Sequence, residues 1–131
     1  MEERRLAHRY KMPLPISVRM LSSHAAPGEL RVTTRDVSTS GIYFTSDEAL
    51  PVGVKLDLSL TLPNEIANGS TVVIDAQARV LRVDEHPGGA ADRFGIAATI
   101  ERLNVGRTAV DFALHKAEQV IESRRAPTTS S

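Results

Sequence analysis

Apolar residues recur at every second position through most of this chain, and this period constrains the fold more than any other feature. The clearest case is the segment 54–62, in which five apolar residues alternate with polar or charged ones. A strand collects such residues on one face, whereas a helix scatters them around its circumference. The segment is therefore predicted to be a strand with one buried face.

The same alternation predicts five further strands, separated by turns rich in Pro, Gly, Asn and Asp. These strands begin near Ile16, Leu30, Ile42, Val72 and Phe94. In the strand that begins at Val72, the apolar parity changes near Val80-Leu81, which predicts a bulge or a bend. Gly95 lies inside the last predicted strand, where glycine is typical of a bulge or of a close backbone approach.

From about Thr108 the apolar period changes to that of a helix. The predicted apolar face consists of Val110, Ala113, Leu114, Ala117, Val120 and Ile121. Six strands followed by one amphipathic helix indicate an all-β fold, a six-stranded antiparallel β-barrel with the helix packed over an opening or an edge. The barrel and its helix are expected to span residues 13–125, and residues 126–131 are expected to form a disordered tail.

The composition is that of one globular domain. The length of 131 residues is too short for two ordinary domains. The longest stretch without Asp, Glu, Lys or Arg has ten residues, whereas a transmembrane helix needs about 20, so no membrane insertion is expected. Cysteine is absent, and residues 1–20 do not have the pattern of a secretory signal. A cytoplasmic location is the simplest expectation.

A charged segment, residues 1–12, precedes the first predicted strand and is followed by two prolines that favour an extended chain. It contains Arg4, Arg5 and Arg9, and arginine presents a planar, bidentate group that suits anions. The spacing of Arg5 and Arg9 is weak evidence alone, because about one such pair is expected by chance among the chain's arginines. We predict that residues 1–12 form a mobile basic arm.

The segment Asp36-Val37-Ser38-Thr39-Ser40-Gly41 lies between two predicted strands and is interpreted as the turn of a hairpin. An acid, a hydroxyl and a glycine at this spacing are expected by chance only about 0.05 times in such a composition. The alternative is a turn and nothing more, because Asp, Ser and Gly are common turn formers. The residues alone leave both interpretations open.

Together, the segments 4–9 and 36–41 resemble the two-part signature of the PilZ domain family, bacterial receptors for cyclic di-GMP. Gly53, Leu62-Pro63 and Phe94-Gly95-Ile96 also lie where that family has similar residues. The resemblance covers nearly the whole chain and implies a split six-stranded barrel with a C-terminal helix, which agrees with the fold predicted from the alternation.

The resemblance also implies a binding site for cyclic di-GMP, without a cofactor or a metal. In this interpretation Arg5 and Arg9 bind guanine and phosphate, and Asp36, Ser38 and Gly41 line the opposite wall. Further candidates are Arg4, Ser40, Arg35, Arg79 and Arg82. For the arginines on predicted strands, the simpler explanation is that they lie on solvent-exposed strand faces.

The expected function is a receptor that passes the cyclic di-GMP signal to an unidentified protein partner when its arm becomes ordered. The alternative is a barrel of the same shape that serves as a protein-interaction module without the nucleotide. Binding to a nucleic acid polymer is not expected, because the net charge is zero and aromatic residues are few. No enzyme signature is present, and the four histidines do not have the spacing of metal ligands.

Overall fold

The computed structural model describes residues 8–21, 29–67, 69–85 and 94–125. The predicted site residues Arg4 and Arg5 and the predicted tail lie outside this part of the chain. The described strands are β1 (Tyr10–Lys11), β2 (Pro15–Met20), β3 (Glu29–Val37), β4 (Gly41–Ser46), β5 (Lys55–Leu62), β6 (Val72–Glu85) and β7 (Phe94–Leu103). A short 3-10 helix spans Asn64–Ala67, and helix α1 spans Arg107–Arg125.

All strand pairs are antiparallel, in the order β3-β2-β5-β6-β7-β4, and β4 pairs again with β3. This last pairing closes the sheet, so the predicted six-stranded barrel with a C-terminal helix is confirmed. The two-residue strand β1 pairs with the end of β3, beside Asp36 and Val37. Because β2 pairs with the earlier part of β3, β1 and β2 are two pieces of one interrupted strand.

Thr34 holds the chain across this interruption, where the prolines at positions 13 and 15 have no N–H to donate. Its buried hydroxyl donates to the carbonyl of Met12 at 2.8 Å and accepts from the N–H of Leu14 at 2.9 Å. Tyr10 and Met12 are both buried in the core. Among the described residues, strand pairing therefore begins at Tyr10, three residues before the predicted start of the barrel at residue 13.

The core is formed by the inward residues of the strands and by one face of helix α1. In β5 every second residue from Leu56 to Leu62 is buried, as the alternation predicts. Each such side chain contributes about 1.5 to 3 kcal/mol by leaving water. Val110, Leu114 and Ala117 are buried on the helix, within the predicted apolar face. At the far end of α1, Arg124 donates to both carboxylate oxygens of Glu65 at 2.7 Å.

Two of the three register shifts in the described strands change which side chains reach the surface beside the end of β3 and in β6. In β6 the register shifts between Val80 and Arg82, which confirms the predicted bulge. In β3 the register shifts between Thr34 and Asp36, which the alternation did not reveal. At each place two consecutive side chains leave the core together, because a bulge puts two residues opposite one. These pairs are Arg35 with Asp36, and Leu81 with Arg82.

Other local predictions are refined by the structure. Gly95 causes no register shift, since it pairs regularly with Thr45 and Asp84. Asp36 belongs to β3 and Gly41 opens β4, so the turn consists of residues 38–40 and is shorter than predicted. No helix in the described ranges has the length and the apolar character required to cross a membrane.

Candidate functional site

An open groove of about 500 Å³ lies on the outer surface of the barrel, where the end of β3 and strands β4, β7 and β6 run side by side. Its volume is within the range of small-molecule sites. Its lining joins the segment before β1 to four strands and consists of Arg9, Asp36, Ser40, Gly41, Ile42, Tyr43, Leu81, Arg82, Ala97, Ala98 and Thr99.

One side of the groove, the arm wall, consists of Arg9 and Asp36. Nη1 of Arg9 lies 2.7 Å from Oδ1 of Asp36, although the two residues are 27 positions apart in the chain. The Arg9 side chain remains 57% exposed. An exposed ion pair contributes only about 0 to 1 kcal/mol to stability, so a ligand can compete for either partner. The structure thus brings one predicted arginine against the predicted acid.

Tyr10 anchors the arm wall to the helix. Because neighbouring residues of an extended chain point to opposite sides, Arg9 lies at the surface while Tyr10 is buried. The Tyr10 hydroxyl donates to Oδ1 of Asp111 on α1 at 3.0 Å. Burial, together with this hydrogen bond, raises the pKa of Tyr10 to about 12. The ring of His8 packs on Tyr10 with 4.4 Å between the ring centroids.

Ser38, a predicted ligand residue, organises the turn and is not among the residues that line the groove. Its side chain is buried, and its hydroxyl oxygen accepts the backbone N–H groups of Ser40 and Gly41, each at 3.1 Å. This is the local hydrogen bonding for which serine is common in turns. The geometry therefore gives Ser38 a supporting role, and Ser40 is the serine that reaches the groove.

The floor of the groove is low because its residues are small. Gly41, Ala97 and Thr99 alternate with the inward residues of β4 and β7 and therefore face outward. A Cβ placed on Gly41 would lie 3.4 Å from the carbonyl oxygen of Ala98. A larger residue at this position would project above the sheet. Such a floor allows a flat ring system to approach the backbone closely.

The opposite side of the groove, the strand wall, consists of Tyr43, Leu81 and Arg82. Behind it, Asp84 accepts hydrogen bonds from Nε of Arg82 at 3.1 Å and from the Tyr43 hydroxyl at 3.4 Å. The hydrogen bond to Asp84 raises the pKa of Arg82. Burial, and then the charge of Asp84, raises the pKa of Tyr43. The wall therefore presents a cationic guanidinium group with Asp84 as its counter-charge.

The other candidates do not line this groove. Arg35 is exposed at the bulge of β3. Arg79 pairs across the strands with Thr99 of the groove, but its side chain is held elsewhere: Nε donates to Oε2 of Glu101 at 2.9 Å and Nη1 donates to the carbonyl of Gly53. Sequence reasoning missed Tyr43 and Leu81. The parity change at Val80-Leu81 marked the bulge that exposes Leu81, but it did not show that the bulge borders a groove.

The chemistry of the groove suits a flat ligand that is anionic and also donates hydrogen bonds. Two guanidinium groups attract an anion, while the Asp36 carboxylate accepts from donors at the edge of a ring. Within the described ranges, no cluster of three or more His, Asp or Glu could hold a metal ion.

Residues 3–109 of the chain match the family model of the PilZ domain. The fold is similar to the Bacillus subtilis inhibitor of motility (MotI/DgrA), with 18% identity, a TM-score of 0.67, and 95% of this chain and 55% of that chain covered. The chain therefore spans about half the length of that protein. No curated protein matches the chain.

Two further similar structures were solved with c-di-GMP. For the PilZ domain of YcgR from Escherichia coli, the identity is 16% and the TM-score 0.64, with 94% of this chain and 98% of that domain covered. For MrkH from K. pneumonia, the identity is 15% and the TM-score 0.53, with 95% and 56% covered. At these identities the likeness concerns the fold.

Proposed function

Because the chain belongs to the PilZ domain family, we propose that it is a receptor for cyclic di-GMP and that the groove between the arm wall and the strand wall is the binding site. The observation that carries this proposal is the meeting of Arg9 and Asp36 above a floor of small residues. The YcgR domain and MrkH, whose structures contain c-di-GMP, support the choice of ligand.

The ligand chemistry fits the side chains of the arm wall. A guanidinium group can donate to O6 and N7 of guanine and can stack on the base. The Asp36 carboxylate is an acceptor for N1–H and the exocyclic amine of guanine, a donor edge that adenine lacks. In this proposal Arg9 exchanges part of its contact with Asp36 for contacts with the base and a phosphate.

Arg5 completes the proposed arginine pair, and Arg4 is a further candidate for a phosphate. Both precede the described residues, so their assignment rests on the family signature. Ser40 and Gly41 are proposed to contact the ligand from the floor of the groove. Ser38 acts through the turn that it organises. The proposed role is binding without chemical conversion of the nucleotide.

We further propose that binding is relayed to a protein partner through the arm. Because Tyr10 and Lys11 pair with β3, we expect the ordering step to concern residues 1–9. Hydrogen exchange with and without cyclic di-GMP tests this step. Protection should rise in residues 1–9 and change little in Tyr10–Lys11. Equal protection of residues 1–9 in both states would contradict the relay while leaving the receptor role intact.

Calorimetric titration of the wild-type chain with cyclic di-GMP, GTP and a short single-stranded oligonucleotide tests the receptor role. Only cyclic di-GMP is expected to bind tightly. Arg5→Ala and Arg9→Ala should each weaken binding by about 10- to 150-fold, the loss of a charge-assisted hydrogen bond. Arg19→Ala is the matched control, because Arg19 also pairs with an aspartate, Asp57, but does not line the groove.

Absence of cyclic di-GMP binding by the folded wild-type chain would exclude the receptor role and favour an interaction module without nucleotide. Preference for the oligonucleotide would instead favour a nucleic-acid-binding barrel. If cyclic di-GMP binds but neither arginine variant weakens it, the location of the site is wrong and the receptor role stands.

A further inference from the structure

The two walls of the groove share two features, although they come from different parts of the chain. Each follows a bulge that puts two consecutive side chains on the outer surface, at Arg35-Asp36 in β3 and at Leu81-Arg82 in β6. Each also contains an arginine hydrogen-bonded to an aspartate. Bulges commonly redirect side chains at binding sites, so the strand wall has the structure of a second ligand contact.

The register of the strands explains how the strand wall is held together. Ala97 of β7 pairs with Tyr43 on one side and with Arg82 on the other. Because the alanine side chain is only a methyl group, the phenol ring of Tyr43 can extend over β7. Its hydroxyl thereby reaches Oδ2 of Asp84 on β6, at 3.4 Å. Asp84 is thus held from the groove side by Tyr43 and from its own strand by Arg82.

We propose that Arg82 is a further cationic contact of the ligand, on the strand wall, and that Asp84, supported by Tyr43, is its positioning residue. This inference rests on the proposed function, because it assigns residues to the same ligand. Asp84 binds the Nε and Nη2 atoms of Arg82. A guanidinium group carries five N–H donors, so donors remain for a phosphate or for the acceptor edge of guanine.

A fixed arginine binds a ligand at lower entropic cost than a freely rotating one, because fewer rotamers are lost on binding. The carboxylate of Asp84 contacts two nitrogens of Arg82 and thereby restricts its rotamers. A cyclic dinucleotide presents two bases and two phosphates, and the described residues of the groove include one arginine on each wall. The small residues between the walls leave the space that such a ligand needs.

The first test is calorimetric titration of Arg82→Ala with cyclic di-GMP. Affinity should fall by about tenfold or more, as expected for a lost charge-assisted contact. Arg19→Ala is the matched control, because Arg19 also pairs with an aspartate, Asp57, but does not line the groove. If the wild-type chain binds and Arg82→Ala binds equally well, this inference is overturned and the proposed function stands. If the wild-type chain does not bind, the proposed function itself fails.

The second test separates a positioning role of Asp84 from a merely structural one. Asp84→Ala should weaken binding by about three- to tenfold when Arg82 is present and should have no further effect in Arg82→Ala, because coupled residues are non-additive. Asp84→Asn, which keeps an acceptor oxygen, should recover part of the affinity. Thermal unfolding checks that each variant is folded. An equal loss in both backgrounds, or tighter binding by Asp84→Ala, would overturn the positioning role.

Discussion

The arm wall and the strand wall present the same chemistry on different backbone supports. Arg9 directly precedes a strand of two residues, whereas Arg82 lies within a strand of 14 residues that pairs with β7 up to its end. The arm wall consequently depends on a few contacts around Tyr10 and Thr34. The strand wall lies within the ladder of β6 and β7, which continues on both sides of the bulge at Leu81. The comparison shows that one side of this groove is built into the barrel and the other is attached to it.

This difference separates the fixed part of the proposed site from the adjustable part. Besides the backbone pairing of β1 with β3, the arm wall has supports that are single side chains, so a single substitution can remove each of these. The hydroxyl of Tyr43 is a comparable support of the strand wall. The loss of stability caused by substitutions at these positions therefore measures how far the two walls differ in their supports.

The largest effect is expected for Thr34→Val, which keeps the shape of the side chain but removes its hydroxyl. The N–H of Leu14 and the carbonyl of Met12 lose their hydrogen-bond partner in the core. Each buried polar group left unsatisfied costs about 1 to 3 kcal/mol, so stability should fall by about 2 to 6 kcal/mol. Urea unfolding measures this change.

Thr34→Ser is the control for that experiment, because serine keeps the hydroxyl and loses only a methyl group. It should retain most of the stability that Thr34→Val loses. If Thr34→Val unfolds at the same urea concentration as the wild type, the hydroxyl is not a support of the arm wall.

The second effect concerns the turn beside Asp36. Ser38→Ala removes the acceptor for the backbone N–H groups of Ser40 and Gly41. We expect a loss of about 1 to 3 kcal/mol in urea unfolding. Ser40→Ala is the matched control and should stay within about 0.5 kcal/mol, because Ser40 is exposed. A larger loss for Ser40→Ala than for Ser38→Ala would reverse the roles assigned to the two serines.

The fold was largely predictable because its strands alternate and its core-facing residues are apolar. The bulges in β3 and in β6 show where the apolar alternation does and does not predict the structure. In β6 the shift was visible because the apolar residues Val80, Leu81 and Val83 mark it. In β3 the shifted residues Arg35 and Asp36 are both polar, so the apolar pattern is unchanged and Asp36 was placed in the turn.

The site was predictable only where a short motif marked it. The arm wall could be predicted because the segment 36–41 resembles part of a known signature. Nothing local indicates that Tyr10 hydrogen-bonds to Asp111, because the two are 101 positions apart. The strand wall has no motif of its own: Tyr43, Leu81 and Arg82 come together only through the pairing of β4, β7 and β6.

The third effect concerns the anchor of the arm wall. Tyr10→Phe removes the hydrogen bond to Asp111 and should cost about 0.5 to 1.5 kcal/mol near neutral pH. Chemical unfolding at pH 7 measures this loss. An unchanged stability would show that the hydroxyl does not anchor the arm.

The pH dependence of stability gives a second measure of the same anchor. The folded pKa of Tyr10 is about 12, above the ordinary value of 10.0. The stabilisation is therefore complete below pH 10 and is lost as the pH rises from 10 to 12. Over this interval the wild type should lose about 2 to 3 kcal/mol more than Tyr10→Phe. Parallel pH profiles of the two proteins would contradict the raised pKa.

The smallest effect is expected for Tyr43→Phe, the corresponding change in the strand wall. Its hydrogen bond to Asp84 is long, at 3.4 Å, and Arg82 continues to hold the same carboxylate. Stability should therefore fall by only about 0.5 kcal/mol, the lower end for one hydrogen bond. Because β7 still supports β6 at this point, the loss should be smaller than that of Tyr10→Phe measured in the same urea series. A larger loss for Tyr43→Phe would show that the strand wall, too, depends on a single side chain, and the distinction between a built-in and an attached wall would fail.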